Sequence, residues 1–307
     1  MRWIKRLLVA VAAFILLCIA LFSCLHWYKP TKLQQSTTLQ KRITSYQENN
    51  PNWDVTLAPE KIREINDKVF NQHFYYIGQG KQCTAYVSYD GQYVVKFLLQ
   101  KPLTVKPHFL RLPDVFPITL FKSYKVDKRK ERQDNLFSAL MISYHIAPEQ
   151  TGTLYVHLNR TDDLFTKPMI VDTQENPIRI DPDETQFVLQ KRARHIKPVI
   201  IDLMRNGRQS QAKERVEQVL LLLYETAQKG VKDVDSGLIR NNNLGFLETR
   251  AIYVDTGKLR LVKQRLSKKE FVKDLKRLEP LYKWLQTYYP ELADHFAAKR
   301  VELINGY

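Results

Sequence analysis

Cysteine is scarce in this chain: Cys18, Cys24 and Cys83 are the only three in 307 residues. The first two lie in an apolar N-terminal run, so no disulfide framework can staple the body, and its stability must come from a buried core. With 44% hydrophobic residues the chain is long enough to build one. Long blocks of one charge are also missing, the mostly basic Lys125–Arg132 coming nearest, although the net charge is +16. That excess favours anionic partners such as phosphates or lipid head groups, and it also serves solubility. No nucleic-acid partner is expected. The spacing of a calcium-binding EF-hand loop does not occur around the Asp- and Asn-rich stretches, which excludes that site.

The one long hydrophobic run is N-terminal. Leu7 to Trp27 is 21 residues without a formal charge, enough to span a bilayer as a helix. Arg2, Lys5 and Arg6 precede it, and Trp3, Trp27 and Tyr28 suit the two interfaces. A cleaved secretory signal is the competing reading, but the run exceeds the roughly 7–15 apolar residues of such a segment. Leu-Phe-Ser-Cys at 21–24 is a poor lipoprotein cleavage box because of Phe22. The expectation is a basic start at 1–6, a single-pass membrane anchor at 7–28 and a polar linker at 29–58.

Pro59-Glu60 opens a helix with Ile62, Ile65 and Val69 on one face. Tyr75 to Gln100 predicts three strands, with Asp90-Gly91 as a hairpin turn. Gly78 and Gly80 precede the first turn of that meander, and without side chains they let backbone N–H groups approach phosphates. Lys101 to Pro117 is a proline-punctuated connection. Arg129 to Ala147 has helical spacing through Leu136, Leu140 and Tyr144. Strands are expected near 152–158 and 186–192, with a polar turn at 174–183 between them. Val199–Met204 is a short helix, and Val216, Val219, Leu220 and Leu223 mark one face of a long one. Ser267 to Glu270 is a capping box, opening a helix that continues through Leu285, and a last helix covers 291–303.

The chemistry concentrates between Gly230 and Gly257. Asp235 follows Gly230 by five residues, Asn243 lies beyond it, and the apolar strand Ala251–Val254 leads into Asp255. Two carboxylates around one carboxamide are what phosphoryl transfer requires: one carboxylate for the attacking hydroxyl, the other with the amide oxygen for Mg²⁺ on the phosphates. Asn241, Asn242 and Asn243 compete for the amide role. Asn243 is preferred because Leu244-Gly245-Phe246 follows it as a strand would. Upstream, Val94-Val95-Lys96 lifts a lysine out of apolar cover.

These residues together resemble the motif series of the protein kinase-like superfamily. Gly78/Gly80 stand for its glycine loop and Lys96 for its Val-Ala-Ile-Lys lysine. Asp235 stands for its catalytic-loop aspartate, and Asp255-Thr256-Gly257 for its Asp-Phe-Gly. From about Phe74 to Leu261 the chain is similar to small, atypical, membrane-anchored bacterial members. The resemblance implies a bilobal α+β fold, with an N-lobe at 59–195 and a reduced C-lobe at 196–307. It implies ATP and Mg²⁺ as cofactors: Lys96 on the phosphates, Asp235 as base, Asn243 and Asp255 on the metal. The acceptor is not named, a protein hydroxyl being one candidate. Departures are Cys83 at the third glycine position, Asp233 where the motif has histidine, and no Ala-Pro-Glu segment. The lysine's partner on the preceding helix stays open among Glu131, Asp134 and Glu149. An inactive kinase-like binding module and an interaction protein without nucleotide are the alternatives.

The anchor is checked by fractionation. The full chain should sediment with membranes, and a form lacking residues 1–28 should be soluble. Equal partition of the two would refute the anchor.

Overall fold

The structure is a computed structural model that describes residues 39–45, 47–100, 118–171, 177–235, 237–239, 242–262 and 264–307. The expected anchor, Leu7–Trp27, the connection Lys101–Pro117 and Asn241 lie outside the described residues. Among the described residues no helix is long and apolar enough to cross a membrane. The chain divides into two compact units, 1–42 and 43–307. Of the first unit, the described residues 39–42 lie in the short helix Leu39–Ile43.

The second unit takes in residues that composition marked as linker. From Ile43 on, the stretch touches the body at points: Ile43 and Ser45 are buried and Trp53 is half-buried, while 48–52, 54, 56 and 58 are exposed. Ile43 is fully buried, and the Ser45 amide donates to the Glu184 carbonyl at 2.8 Å. Trp53 meets Phe137 edge-on at 5.6 Å. Asn50 and Asn159 exchange two hydrogen bonds, Asn50 N–H to Asn159 Oδ1 at 3.0 Å and Asn159 Nδ2 to the Asn50 carbonyl at 2.8 Å. The polar residues that suggested a free linker act as backbone partners here.

Helix α1, Pro59–Glu64, starts on a proline whose missing N–H has no use in a first turn. It runs into a π-helical turn, Ile65–Phe70, that buries Ile65, Val69 and Phe70. Three strands follow: β1 Phe74–Gln79, β2 Cys83–Ser88 and β3 Tyr93–Leu98. At the β2–β3 turn Gly91 takes φ +72°, which a side chain would resist. Asp90 Oδ1 accepts from the Ser88 hydroxyl and the Gln92 amide there. The long helix α2, Ile118–His145, and the short α3, Pro148–Thr151, lead to β4, Thr153–His157. Next come β5 Met169–Val171, β6 Pro177–Arg179 and β7 Phe187–Lys191.

These strands form one mixed sheet in the order β4-β7-β3-β2-β1-β5-β6, with β5 parallel to β1. Strand β6 and a 3₁₀ turn at Pro182–Glu184 replace the expected polar turn. Strand β6 is an edge strand with two exposed positions of three, so it carries no apolar alternation to read. Phe187 is the centre of the sheet's core, with Phe70, Phe97 and Tyr155 at 5.6, 6.2 and 5.9 Å. Helix α2 covers one face by packing Phe137 and Leu140 with Leu98, Val156 and Val188.

The second half is helical. Strand β8, Arg194–His195, leads directly into α4, Ile196–Arg205, and then α5, Gln209–Gln228. Val216, Val219, Leu220 and Leu223 of α5 are buried as their spacing predicts. Short strands follow: β9 Val231–Asp233, β10 Leu244–Phe246, β11 Ala251–Tyr253 and β12 Leu259–Leu261. They pair as β9–β12 and as β11-β10-β8. The capping box at Ser267–Glu270 is formed and opens α6, Lys268–Leu275. The helix expected to continue to Leu285 is instead broken by a 3₁₀ turn, Lys276–Leu278, before α7, Glu279–Tyr288. Pro280 forces the break, because it has no N–H for an interior helical bond. Helix α8, Pro290–Gly306, closes the bundle.

The link between the halves is tight. Residues 192–193 join β7 to β8, and His195 pairs with Gly245 of β10. A Cβ on Gly245 would stand 2.9 Å from both Ala193 Cβ and the Arg194 carbonyl, and 3.1 Å from Val254 Cγ2. Backbone and β-branched neighbours cannot all give way. Gly245→Ala should therefore destabilise the protein by about 1–3 kcal/mol, the usual cost of overpacking. Chemical denaturation checks this, and unchanged stability would mean that the contact relaxes freely.

Candidate functional site

Lys96 leaves β3 between buried Val95 and Phe97, so its stem is held by the core while its ammonium emerges toward the helical half. Its Nζ donates to the Val254 carbonyl, 158 residues away, at 2.5 Å. Loss of water around the ammonium pushes its pKa below the ordinary lysine value. Cys83 and Asp255 lie close enough to oppose that shift. None of Glu131, Asp134 or Glu149 takes the partner role: the Val254 carbonyl occupies the ammonium, and Glu149 is paired with Arg250 at 2.7 Å. Burial pushes the Cys83 thiol up, with Lys96 opposing. Cys83 packs at the margin of the cluster under α2, so it fills core space.

Asp255 follows Val254 and is exposed. Its Oδ1 accepts from the Gly257 amide at 3.0 Å, a local turn that presents the carboxylate. Gly257 is tightly covered: a Cβ would meet Gln82 Oε1 and Leu136 Cδ1, each at 3.1 Å, so both side chains would have to shift. The β1–β2 turn and helix α2 therefore both close onto the Asp255–Gly257 turn.

Asp235 is buried in the loop after β9. Its Oδ1 accepts from the Gly237 amide at 3.0 Å and pairs with Lys258 Nζ at 3.1 Å. Its Oδ2 accepts from Asn243 Nδ2 at 2.8 Å. Burial opposes ionisation, but the Gly237 amide, Lys258 and Asn243 outweigh it and hold the carboxyl below the usual aspartate range. The loop itself is braced from α6 and the turn after it. Arg277 donates to the Asp233 carbonyl at 2.6 Å, to Asp233 Oδ2 at 2.8 Å and to the Asp235 carbonyl at 2.5 Å. Asp233 Oδ1 in turn accepts from the Asp235 amide at 2.9 Å. Asp233, at the motif's histidine position, is thus a brace for the loop. Burial pushes its carboxyl up, only partly offset by the Asp235 amide and Arg277.

The glycines are less committed. Gly78 sits at a β-bulge between β1 and β2 and has open space where a Cβ would be. The Gly80 amide closes the turn on the Cys83 carbonyl at 2.8 Å, so that donor is used internally. Neither glycine has a positive φ. What they supply is the absence of a side chain.

The fold therefore joins Asp235 to Asn243 directly and brings Lys96 close to Asp255. One residue ties the two pairs: the Val254 amide donates to the Asn243 carbonyl at 2.7 Å, while its own carbonyl receives Lys96. Two contributors were not anticipated. Lys258 has a faint signal, three residues after Asp255. Arg277 has none, since nothing at 277 points back to 233–235. The donors fit Mg²⁺: Asn243 spends its amide nitrogen on Asp235 and keeps its oxygen, and Asp255 has a second carboxylate oxygen. Among the described residues no cluster of three or more His, Cys, Asp or Glu forms a metal cage. Two oxygen ligands suit a magnesium ion that takes the rest from phosphates and water.

No protein-family model matches the chain, and no curated protein matches it. Among solved structures it is similar to WbdD. One WbdD crystal structure aligns over 73% of this chain and 45% of its own, at 12% identity and a TM-score of 0.34. A second, of the bifunctional kinase-methyltransferase WbdD, aligns over 71% and 42%, at 13% identity and a TM-score of 0.32. The streptomycin–ATP–APH(2")-IIa ternary complex aligns over 78% of this chain and 86% of that one, at 11% identity and a TM-score of 0.29. The chain thus spans less than half the length of the WbdD chains.

The depressed Asp235 carboxyl gives a pH test. Its contribution to stability is complete above the ordinary aspartate value of 3.8 and is lost as pH falls through the lower folded value. Lys258→Met removes one cause of the depression, so Asp235 should titrate at higher pH, while Lys258→Arg should keep it low. Carboxyl NMR titration reads this directly, and an unmoved midpoint in Lys258→Met would remove Lys258 from the site.

Proposed function

We propose that this chain is a kinase-like phosphotransferase that moves the terminal phosphate of ATP to a hydroxyl acceptor. Several features support the reading. The sheet contains the run β4-β7-β3-β2-β1, with helix α2 inserted between β3 and β4. A short link joins it to a reduced helical lobe. In that lobe the β10–β11 hairpin separates Asn243 from Asp255, and β12 returns to pair with β9 before Asp235. The observation that carries the proposal is the Val254 peptide, which holds Lys96 and Asn243 on its two sides. Residues from three separate stretches, 96, 243 and 254, thereby meet at one peptide unit.

In this reading Lys96 binds the ATP phosphates as a point charge, with its stem fixed by β3. Asp235, ionised and held at three points, accepts or orients the acceptor's hydroxyl proton. Mg²⁺, held by Asn243 and Asp255, neutralises charge on the phosphates. Asn243 has a second task, because its amide fixes the rotamer of Asp235. The Asp255–Gly257 turn, covered by Gln82 and Leu136, positions the carboxylate and limits water. Leu7–Trp27 would tether the enzyme to a membrane.

A second reading, binding without turnover, is favoured by two contacts. Lys258 already occupies Asp235, and Lys96 has no carboxylate partner on α2. One set of measurements separates the readings. Mg²⁺–ATP should raise the melting temperature. Lys96→Met should weaken that shift, and Asp255→Ala should abolish its Mg²⁺ dependence. Asp235→Asn should leave ATP affinity nearly intact while lowering phosphotransfer or ATP hydrolysis by about 10²–10⁴-fold. Binding with no turnover in the unmodified chain selects the inactive module. Absence of any shift, or full activity in Asp235→Asn, overturns the proposal.

A further inference from the structure

Behind the link between the lobes lies a cavity of about 1170 Å³, and none of Lys96, Asp235, Asn243 or Asp255 lines it. Its walls come from α1, the β2–β3 turn, the α3–β4 segment, residues 191–194, α5 and the β10–β11 turn. Seven cationic side chains and four glutamates line it, so the question is which charges are already used. Glu149 and Glu225 are both taken by Arg250, at 2.7 and 3.3 Å. Glu64 is shared by Lys61 and Lys68, at 2.7 and 3.5 Å. Arg215 is spent on the carbonyls of Leu247 and Glu248, and the exposed Glu248 carboxylate is the one acid of the lining that forms no ion pair among the described residues. Lys191, Arg192 and Arg194 are exposed at the cavity and form no ion pair among the described residues.

We propose that this cavity is a binding site for a compact polyanion carrying several phosphate groups, held by Lys191, Arg192 and Arg194. Three unpaired cations within four residues repel one another, and a multivalent anion relieves that repulsion. Two of the three are arginines, whose planar forks match phosphate oxygens two at a time. The space is half open to solvent but walled by six segments, so a compact ligand would meet contacts on several sides, whereas an extended acidic peptide would need them along one line. The volume exceeds what a single phosphate fills and suits a small molecule. The site also lies one strand from the proposed catalytic groups. Arg194 pairs with Phe246, and Ala193 abuts Gly245, two residues beyond Asn243.

Calorimetric titration of the full chain with inorganic tripolyphosphate, at fixed ionic strength, tests the assignment. The triple variant Lys191→Ser/Arg192→Ser/Arg194→Ser should weaken binding by about tenfold or more, as expected for losing charge-assisted bonds. A matched triple on α2, Lys128→Ser/Lys130→Ser/Arg132→Ser, removes the same charge elsewhere and should bind as the unmodified chain does. The single variant Arg192→Glu keeps the test open if the hinge triple misfolds, and should itself weaken binding several-fold. Lys96→Met, which removes the lysine proposed for the ATP phosphates, should at most remove a second, separate tripolyphosphate site and keep the binding that the hinge triple weakens. Equal loss in both triples, loss of that same binding in Lys96→Met, absence of binding, or equally tight binding of pentaglutamate would each overturn the proposal.

Discussion

A single peptide unit, that of Val254, carries the arrangement. Its N–H is bonded to the Asn243 carbonyl and its C=O to the Lys96 ammonium. Lys96 emerges from the sheet's core with no carboxylate from α2 to neutralise it, and leaving a buried ammonium unpaired would be costly. The carbonyl meets that requirement and fixes where the lysine ends. Because Val254 immediately precedes Asp255, the same contact places the exposed carboxylate beside the lysine. Val254 also touches Gly245, so the site and the link between the lobes share one packing point.

The carboxylates around this point are separated by environment. Asp235 meets an amide hydrogen, an ammonium and a carboxamide, and stays ionised. Asp233 and Asp274 are pushed the other way by burial, with Arg277 between them. One Asp274 oxygen has no hydrogen bond, although Lys232 and Arg277 stand 3.9 and 3.7 Å away. The signs are opposite: Asp235 favours the folded state at neutral pH, whereas carboxyls with raised pKa oppose it until they are protonated. Arg277 is the compromise. It stiffens the loop that holds Asp235 by pairing with two acids that burial pushes toward the neutral form.

The elements that carry these residues are largely legible in the sequence, and the exceptions have physical reasons. Lys96, Asp235, Asn243 and Asp255 stood out because each sits beside a local feature, namely a strand pattern, a turn glycine or a hairpin. The anchoring of Asn49 and Asn50 to Asn159 and Arg160 is not legible in the sequence, because Asn residues look alike whether they face water or bond to a distant backbone. Strand β6 was missed because an edge strand needs no alternation. The break before α7 was overlooked although Pro280 announces it. Asp235 stands seven residues beyond the end of helix α5 at Gln228, and its loop is held from outside by Arg277.

By itself the sequence determined the periods and the punctuation: three strands with their Asp-Gly turn, the apolar face of α5, the capping box of α6, and the order lysine, aspartate, asparagine, aspartate. These depend on neighbours within a turn or two, so composition and spacing record them. Only the tertiary structure decided that Lys96 meets a carbonyl, that Lys258 reaches Asp235, that Arg277 braces a loop 42 residues away, and that Lys191, Arg192 and Arg194 form no ion pair among the described residues. Such pairings depend on where separate elements come to rest against each other. Packing of the whole core sets that, and no local pattern encodes it.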